Sequence, residues 1–311
     1  MRRQIDSELG RVSVPPSAPE WIARPERSNK YVLRFLVWVA LTLGRPAARA
    51  LLYPTALYFL AFSSLARKAS AGFLRRALGR RPGVADLFRH FHSFAATTLD
   101  RVFLLNGQYA SFDVRVHGPE VVQDMVARGE GCFLLGTHLG SFEIIRALAR
   151  AVGSPRVSLV MYEENARKVT SVLDAINPQL SLEVIALGKL DSMLKVRAAL
   201  ERGGFVGILG DRTIEGEGAA TCEFFGEQTG FPVGPFRMAA LLQQPIVLIF
   251  GLYRGGNRYD VYFEQLVDMR LNDRAQRDAL IAPSLQRYVA RIEHYCRMAP
   301  YNWFNFYDFW K

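Results

Sequence analysis

The feature that most restricts this chain is an alternation that runs from residue 112 almost to its end. Short apolar, β-rich runs take turns with longer segments of helical spacing. The runs are FDVRV at 112–116, CFLLG at 132–136, RVSLVM at 156–161, LEVIAL at 182–187, FVGILG at 205–210, IVLIFGLY at 246–253 and YDVYFE at 259–264. Segments 141–151, 165–176, 190–202 and 234–243 carry the helical pattern, and 271–297 closes the chain as a helix. Strands that alternate with helices indicate crossover units and a largely parallel sheet. Several runs are apolar throughout, which fits strands covered on both faces. The expected fold class is α/β, a mostly parallel central sheet flanked by helices. A chain of 311 residues, half of them hydrophobic, is long enough for one large domain with an appendage or for two domains.

The N-terminal third is different. Residues 1–90 hold sixteen Lys and Arg against five Asp and Glu, while residues 91–311 hold the other 23 against 24. The whole excess of +10 therefore lies at one end of a nearly neutral body. A nucleic-acid binder spreads its basic residues over the folded surface beside a reading motif, and no such motif is present. The same region contains FLVWVALTLG at 35–44 and ALLYPTALYFLAFSSLA at 50–66, both free of charge. The second run sits at the lower limit of about 17 residues for a span. Every flank is basic, so a single crossing would place positive charge on the wrong side. Helices lying in the interface and held by anionic lipid are the favoured reading, with a buried helix pair or one true span as the alternatives. The boundaries expected are a flexible tail over 1–30, a basic, hydrophobic, membrane-associating helical region over 31–82, and a main domain over 83–311. Another helix is expected from about residue 85, through LFRHFHSFAATTLDRVFLL. Cys132, Cys222 and Cys296 make neither a disulfide framework nor a metal pair, and a reducing compartment is the simplest reading.

Open parallel sheets bind ligands at the carboxyl ends of their strands. Two such ends carry ionisable groups. After CFLLG comes Thr137-His138-Leu139-Gly140-Ser141-Phe142-Glu143, and after FVGILG comes Asp211-Arg212-Thr213. A neutral imidazole can take a proton from a hydroxyl near neutral pH, and it needs a carboxylate to fix its tautomer. A bend at Gly140 would let the His138 ring fold back over Glu143. Arg212 could meet a phosphate or a developing oxyanion, with Asp211 holding that arginine or capping the local turn. A serine-hydrolase reading of Ser141 lacks the Gly-x-Ser-x-Gly elbow. His90 and His92, two apart on one helix, do not make a zinc site.

These residues resemble a known family. His138-x4-Glu143 after a hydrophobic strand resembles the His-x4-Asp/Glu motif of the glycerolipid acyltransferase superfamily. The basic hydrophobic N-terminus, GDRT at 210–213, EFFGEQTGFPVGPFRMAALLQQPIV at 223–247 and the aromatic end YNWFNFYDFW at 301–310 resemble its lipid A lauroyl/myristoyl branch. Relatives in aryl polyene pathways are a further point of similarity. The resemblance implies an acyltransferase that carries a fatty chain from an acyl carrier protein or acyl-CoA thioester to a hydroxyl of a lipid or glycolipid acceptor. It implies His138 as general base, Glu143 as its partner, and Arg212 with Asp211 as the phosphate or oxyanion group. It implies no metal and no cofactor, the thioester being a substrate. The expected place is the cytoplasmic face of a bacterial inner membrane, peripheral or monotopic, with a single span left open. Phe224, Phe225 and Phe231 are candidates for an acyl channel, with core packing as the alternative reading. The terminal aromatics close the core or form an interfacial belt, and GEGAATCEFF at 216–225 begins as a loop over the site. A non-catalytic lipid-binding or scaffold protein of the same fold is the alternative function.

Overall fold

The computed structural model describes residues 30–144, 157–162, 176, 183–188, 191–213 and 218–310. The tail expected over 1–30 therefore lies outside the described residues, apart from Lys30, as do most of the helical segments expected at 141–151 and 165–176.

Four helices lead the chain: α1 (Lys30–Ala50), α2 (Leu52–Phe62), α3 (Ser64–Leu78) and α4 (Val84–Leu105). Gly44, at φ 79°, with Pro46 two residues on, kinks α1. The first uncharged run thus ends at a kink and the second is divided among three helices, and among the described residues no helix is long and apolar enough to cross a membrane. The strands follow as β1 (Asp113–His117), β2 (Cys132–Gly136), β3 (Val157–Tyr162), β4 (Val184–Leu187) and β5 (Phe205–Leu209). Helix α5 (Pro119–Ala127) joins β1 to β2, and α6 (Ser192–Glu201) joins β4 to β5. A hairpin of β6 (Ala219–Phe224) and β7 (Glu227–Pro232), helix α7 (Gly234–Leu242), strands β8 (Ile246–Gly255) and β9 (Arg258–Val267) and helix α8 (Arg274–Met298) complete the order.

Seven strands form one sheet in the order β1-β9-β8-β2-β5-β3-β4. Every pairing is parallel except the β8–β9 hairpin. The α/β class and the mostly parallel sheet are as the sequence pattern indicates. β2 and most of β5 are buried along their length because helices cover both faces, which is why their sequences do not alternate. β6 and β7 form a separate two-stranded ladder. Most of the start of 216–225, where a loop is expected, lies outside the described residues; from Ala219 the segment is a strand, and Ala220, Cys222 and Phe224 alternate inward along β6 and join the core.

The N-terminal helices are not a detached appendage. Phe73, Leu74 and Ala77 of α3 lie in the same core as the sheet. Each of the two large side chains contributes roughly 1.5–3 kcal/mol by its burial. Ser70 shares a 2.7 Å hydrogen bond with His90 of α4. Arg45 of α1 forms two hydrogen bonds, of 2.8 and 2.9 Å, with the buried Asp100 carboxylate, which also accepts from Tyr259 of β9 at 2.8 Å. Residues 31–82 are thus anchored to the main body by packing and by a buried ion pair. α2 buries only the seam Leu52, Ala56 and Leu60, and leaves Tyr53, Leu57, Tyr58 and Phe62 exposed.

Candidate active site

The sheet order decides which residues meet. β2 and β5 are parallel neighbours, with Gly136 level with Leu209. The chain therefore leaves both strands side by side, and His138 and Asp211 each stand two residues past their strand. The turn after β2 is then pinned. Gly140 sits at φ 77°, and a Cβ there would lie 2.0 Å from the carbonyl oxygen of Gly251 in β8. Gly251 in turn has no room for a Cβ, which would lie 2.3 Å from the Ser141 carbonyl oxygen. This close approach of two backbones requires glycine on both sides. The Ser141 N–H donates to Gly251 O at 2.8 Å, the Gly140 N–H to Asn302 O at 2.8 Å, and the Phe304 N–H to His138 O at 2.8 Å.

In that turn the His138 imidazole points at Asp211. Its Nδ1 lies 2.8 Å from Asp211 Oδ1, and its backbone N–H donates to Asp211 Oδ2 at 3.1 Å. Asp211 has no exposed surface. It also accepts from Asn305 Nδ2 at 3.0 Å and from Trp303 Nε1 at 3.3 Å. Burial pushes its carboxyl up, but the charge and hydrogen bond of His138, the Arg212 charge and the Asn305 bond outweigh this. They hold the group below the usual carboxylate range. His138 keeps 27% of its side-chain surface open. Its pKa lies below the ordinary imidazole value, lowered by burial and by Arg212, with Arg101 adding to the effect and Asp211 opposing it. An anionic Asp211 facing Nδ1 selects the tautomer with the proton on Nδ1. Nε2 is then left with a lone pair and, among the described residues, no protein partner.

The expected contact of His138 with Glu143 is corrected. Glu143 lies in a helical turn that begins at Phe142. Its carboxylate stands 2.7 Å from Arg101 Nε of α4 and accepts from Ser141 Oγ at 3.4 Å. The register of β2 with β5 brings the Asp211 carboxylate to the imidazole instead. Asp211 therefore holds the histidine rather than the neighbouring arginine. The arginine, Arg212, donates from Nε to Asn305 Oδ1 at 2.8 Å, and its guanidinium lies 5.7 Å from the Tyr307 ring centre. Thr137 Oγ1, next to the histidine, is buried without a hydrogen-bond partner.

Phe224 and Phe231 have no exposed surface and pack in an aromatic cluster with Phe309, where Phe224 also meets Trp303. Phe225 is partly buried against the same core. Core packing is thus the place of these three. The sequence pattern of 302–305 offers core closure or an interfacial belt but no site role, yet Asn302, Trp303 and Asn305 brace the turn and the carboxylate. The signal available was the two asparagines set inside an otherwise aromatic run. His90 is structural: it is fully buried between Ser70 and the Trp303 carbonyl, and burial pushes it down to about 4. Cys132, Cys222 and Cys296 are free and buried. Among the described residues no group of three or more His, Cys, Asp and Glu is placed to hold a metal ion.

A histidine braced by a buried carboxylate at the carboxyl edge of a parallel sheet defines an α/β protein with the parts of a general-base site. The profile of the family described as bacterial lipid A biosynthesis acyltransferase matches residues 25–311, and the chain belongs to that family of acyltransferases. No curated protein matches the chain.

Proposed function

We propose that this protein is a membrane-surface O-acyltransferase that moves a fatty acyl chain from an acyl carrier protein or acyl-CoA thioester to a hydroxyl of a lipid or glycolipid acceptor. The observation that carries the mechanism is the His138 Nδ1–Asp211 hydrogen bond. Nε2 takes the proton of the acceptor hydroxyl as its oxygen attacks the thioester carbonyl. Asp211 stabilises the imidazolium that forms. The tetrahedral oxyanion collapses, a C–O ester bond replaces the C–S bond, and the departing thiolate takes the proton back from Nε2. Arg212, whose guanidinium is steadied by Asn305, supplies positive charge to the oxyanion or to a phosphate of the substrate. Glu143 balances the Arg101 charge, which otherwise lowers the histidine further. The exposed apolar face of α2, flanked by the basic residues of α1 and α3, supports peripheral docking on an anionic bilayer.

The test is incubation of the full chain with acyl-carrier or acyl-CoA thioester and a lipid extract, followed by free-thiol release and lipid mass spectrometry. The expected result is thiol release matched by one added ester-linked acyl group. Vesicle binding with no thioester consumption would instead make the protein a lipid-binding scaffold.

A further inference from the structure

Further along the same sheet edge from His138, past Gly251, a cleft of about 640 Å³ opens between the helices and the end of β8. Its walls come from Arg49 of α1, Tyr53 of α2, Arg89 and His92 of α4, Arg254 of β8, and the segment after α8 that includes Tyr301. No lining residue is acidic. The nearby carboxylates are already engaged: Asp100 by Arg45 and Tyr259, Asp260 by Arg254, and Asp86 by Arg80 and Tyr301. Among the described residues neither Arg49 nor Arg89 forms an ion pair. Arg49 donates from Nη2 to the Tyr253 hydroxyl at 2.8 Å, while its Nη1 is buried without a partner. His92 Nε2 is likewise buried and unpartnered, and its ring is covered by Tyr53, with centroids 5.0 Å apart. Tyr53 is itself 56% exposed, so it can swing aside. Two orphaned donors or acceptors in one wall are a standing cost, which an anionic oxygen at Arg49 and a hydroxyl or protonated oxygen at His92 would relieve.

The mouth of the cleft identifies the source of the anion. Tyr53 is one turn from the exposed Leu57 on α2, so the cations lie beside an apolar face with no charge of its own. Arginines placed next to such a face sit at headgroup depth when the face enters a bilayer. We propose that this cleft binds the phosphate-bearing headgroup of a membrane lipid, through Arg49 and Arg89 with Arg254 and His92 in support, and so fixes the orientation of the protein on the membrane. The inference rests on the proposed docking of the α2 face but not on acyl transfer, and vesicle binding without thioester tests it apart from the reaction.

The experiment is flotation of the full chain with phosphatidylcholine vesicles, with and without phosphatidic acid. The double variant Arg49→Gln/Arg89→Gln is compared with Arg197→Gln/Arg202→Gln, a charge-matched change on and just after α6. The cleft variant should lose about tenfold or more of the phosphatidic-acid-dependent binding, the effect of removing charge-assisted contacts to phosphate. The α6 variant should float as the wild type does. Inorganic phosphate should fail to displace the protein at concentrations where phosphatidic acid recruits it. Equal losses in the two variants, no loss in either, or displacement by inorganic phosphate at matched concentration would overturn the proposal. Arg89 is exposed, so Arg89→Gln alone keeps the fold, and it should still lower binding several-fold; unchanged binding in that variant also overturns it.

Discussion

Replacing Asp211 by Asn separates the two carboxylates that could serve the histidine. The change keeps the shape of the side chain and removes its charge. Asp211 accepts four hydrogen bonds, from the His138 backbone, His138 Nδ1, Asn305 and Trp303. An asparagine can accept on one arm only, so at least one buried donor loses its acceptor and faces an NH2 group. That costs roughly 1–3 kcal/mol of stability. The catalytic cost is larger. With an amide opposite Nδ1, the ring favours carrying its proton on Nε2, where no hydroxyl proton can be taken up. A general base is worth about 10²- to 10⁴-fold, and Asp211→Asn should lose most of that in kcat. Glu143→Gln removes a partly exposed ion pair worth about 0–1 kcal/mol and leaves Asp211 in place. Its loss of turnover should be clearly smaller, with the histidine titrating at lower pH because Arg101 is no longer balanced. The assay is thiol release at saturating acceptor, together with ¹⁵N chemical shifts of the His138 ring to read its tautomer. Full turnover in Asp211→Asn, or an unchanged ring tautomer, would show that Asp211 does not set the protonation of His138.

Other consequences can be measured separately. Turnover requires neutral His138, so it should fall as pH drops through the histidine's pKa. Burial and Arg212 place that acid limb below the ordinary imidazole value; a limb above that value contradicts the electrostatics described. Gly140→Ala should destabilise the protein by about 2–5 kcal/mol, because the backbone is left-handed and the methyl meets the Gly251 carbonyl oxygen. A melting temperature equal to wild type would show that the turn is not pinned. Leu57→Glu with Phe62→Glu changes exposed side chains, so stability should hold while vesicle binding falls about tenfold or more. Binding equal to wild type would place the membrane contact elsewhere. Deletion of residues 1–80 is a poor substitute for these point changes, since it removes Phe73 and Leu74 from the core.

Much of the architecture was legible because buried parallel strands are continuous apolar runs. CFLLG at 132–136 coincides with β2, and the other six runs fall within a few residues of their strands. The hairpin of β6 and β7 is harder to read because its charged and glycine residues interrupt any apolar run, although inward Ala220, Cys222 and Phe224 alternate. The two rim elements that meet were both visible, since each follows a strand. Their pairing was not, because it depends on strand order: residues 138 and 211 become neighbours only when β5 lies beside β2. Local spacing favoured Glu143, five residues away in the chain, over Asp211, which is 73 residues away. The brace from Asn302, Trp303 and Asn305 was hidden for a related reason. Aromatic residues near a chain end announce burial, but not which buried polar group their neighbours satisfy.

The sharpest test is turnover of His138→Ala in the thioester-to-lipid reaction at neutral pH, with the melting temperature measured alongside. Asp211 keeps its bonds from the residue 138 backbone, Asn305 and Trp303 in that variant, so the protein should stay folded. Acyl transfer should drop by about 10²- to 10⁴-fold. A folded variant that acylates lipid at the wild-type rate would contradict the account.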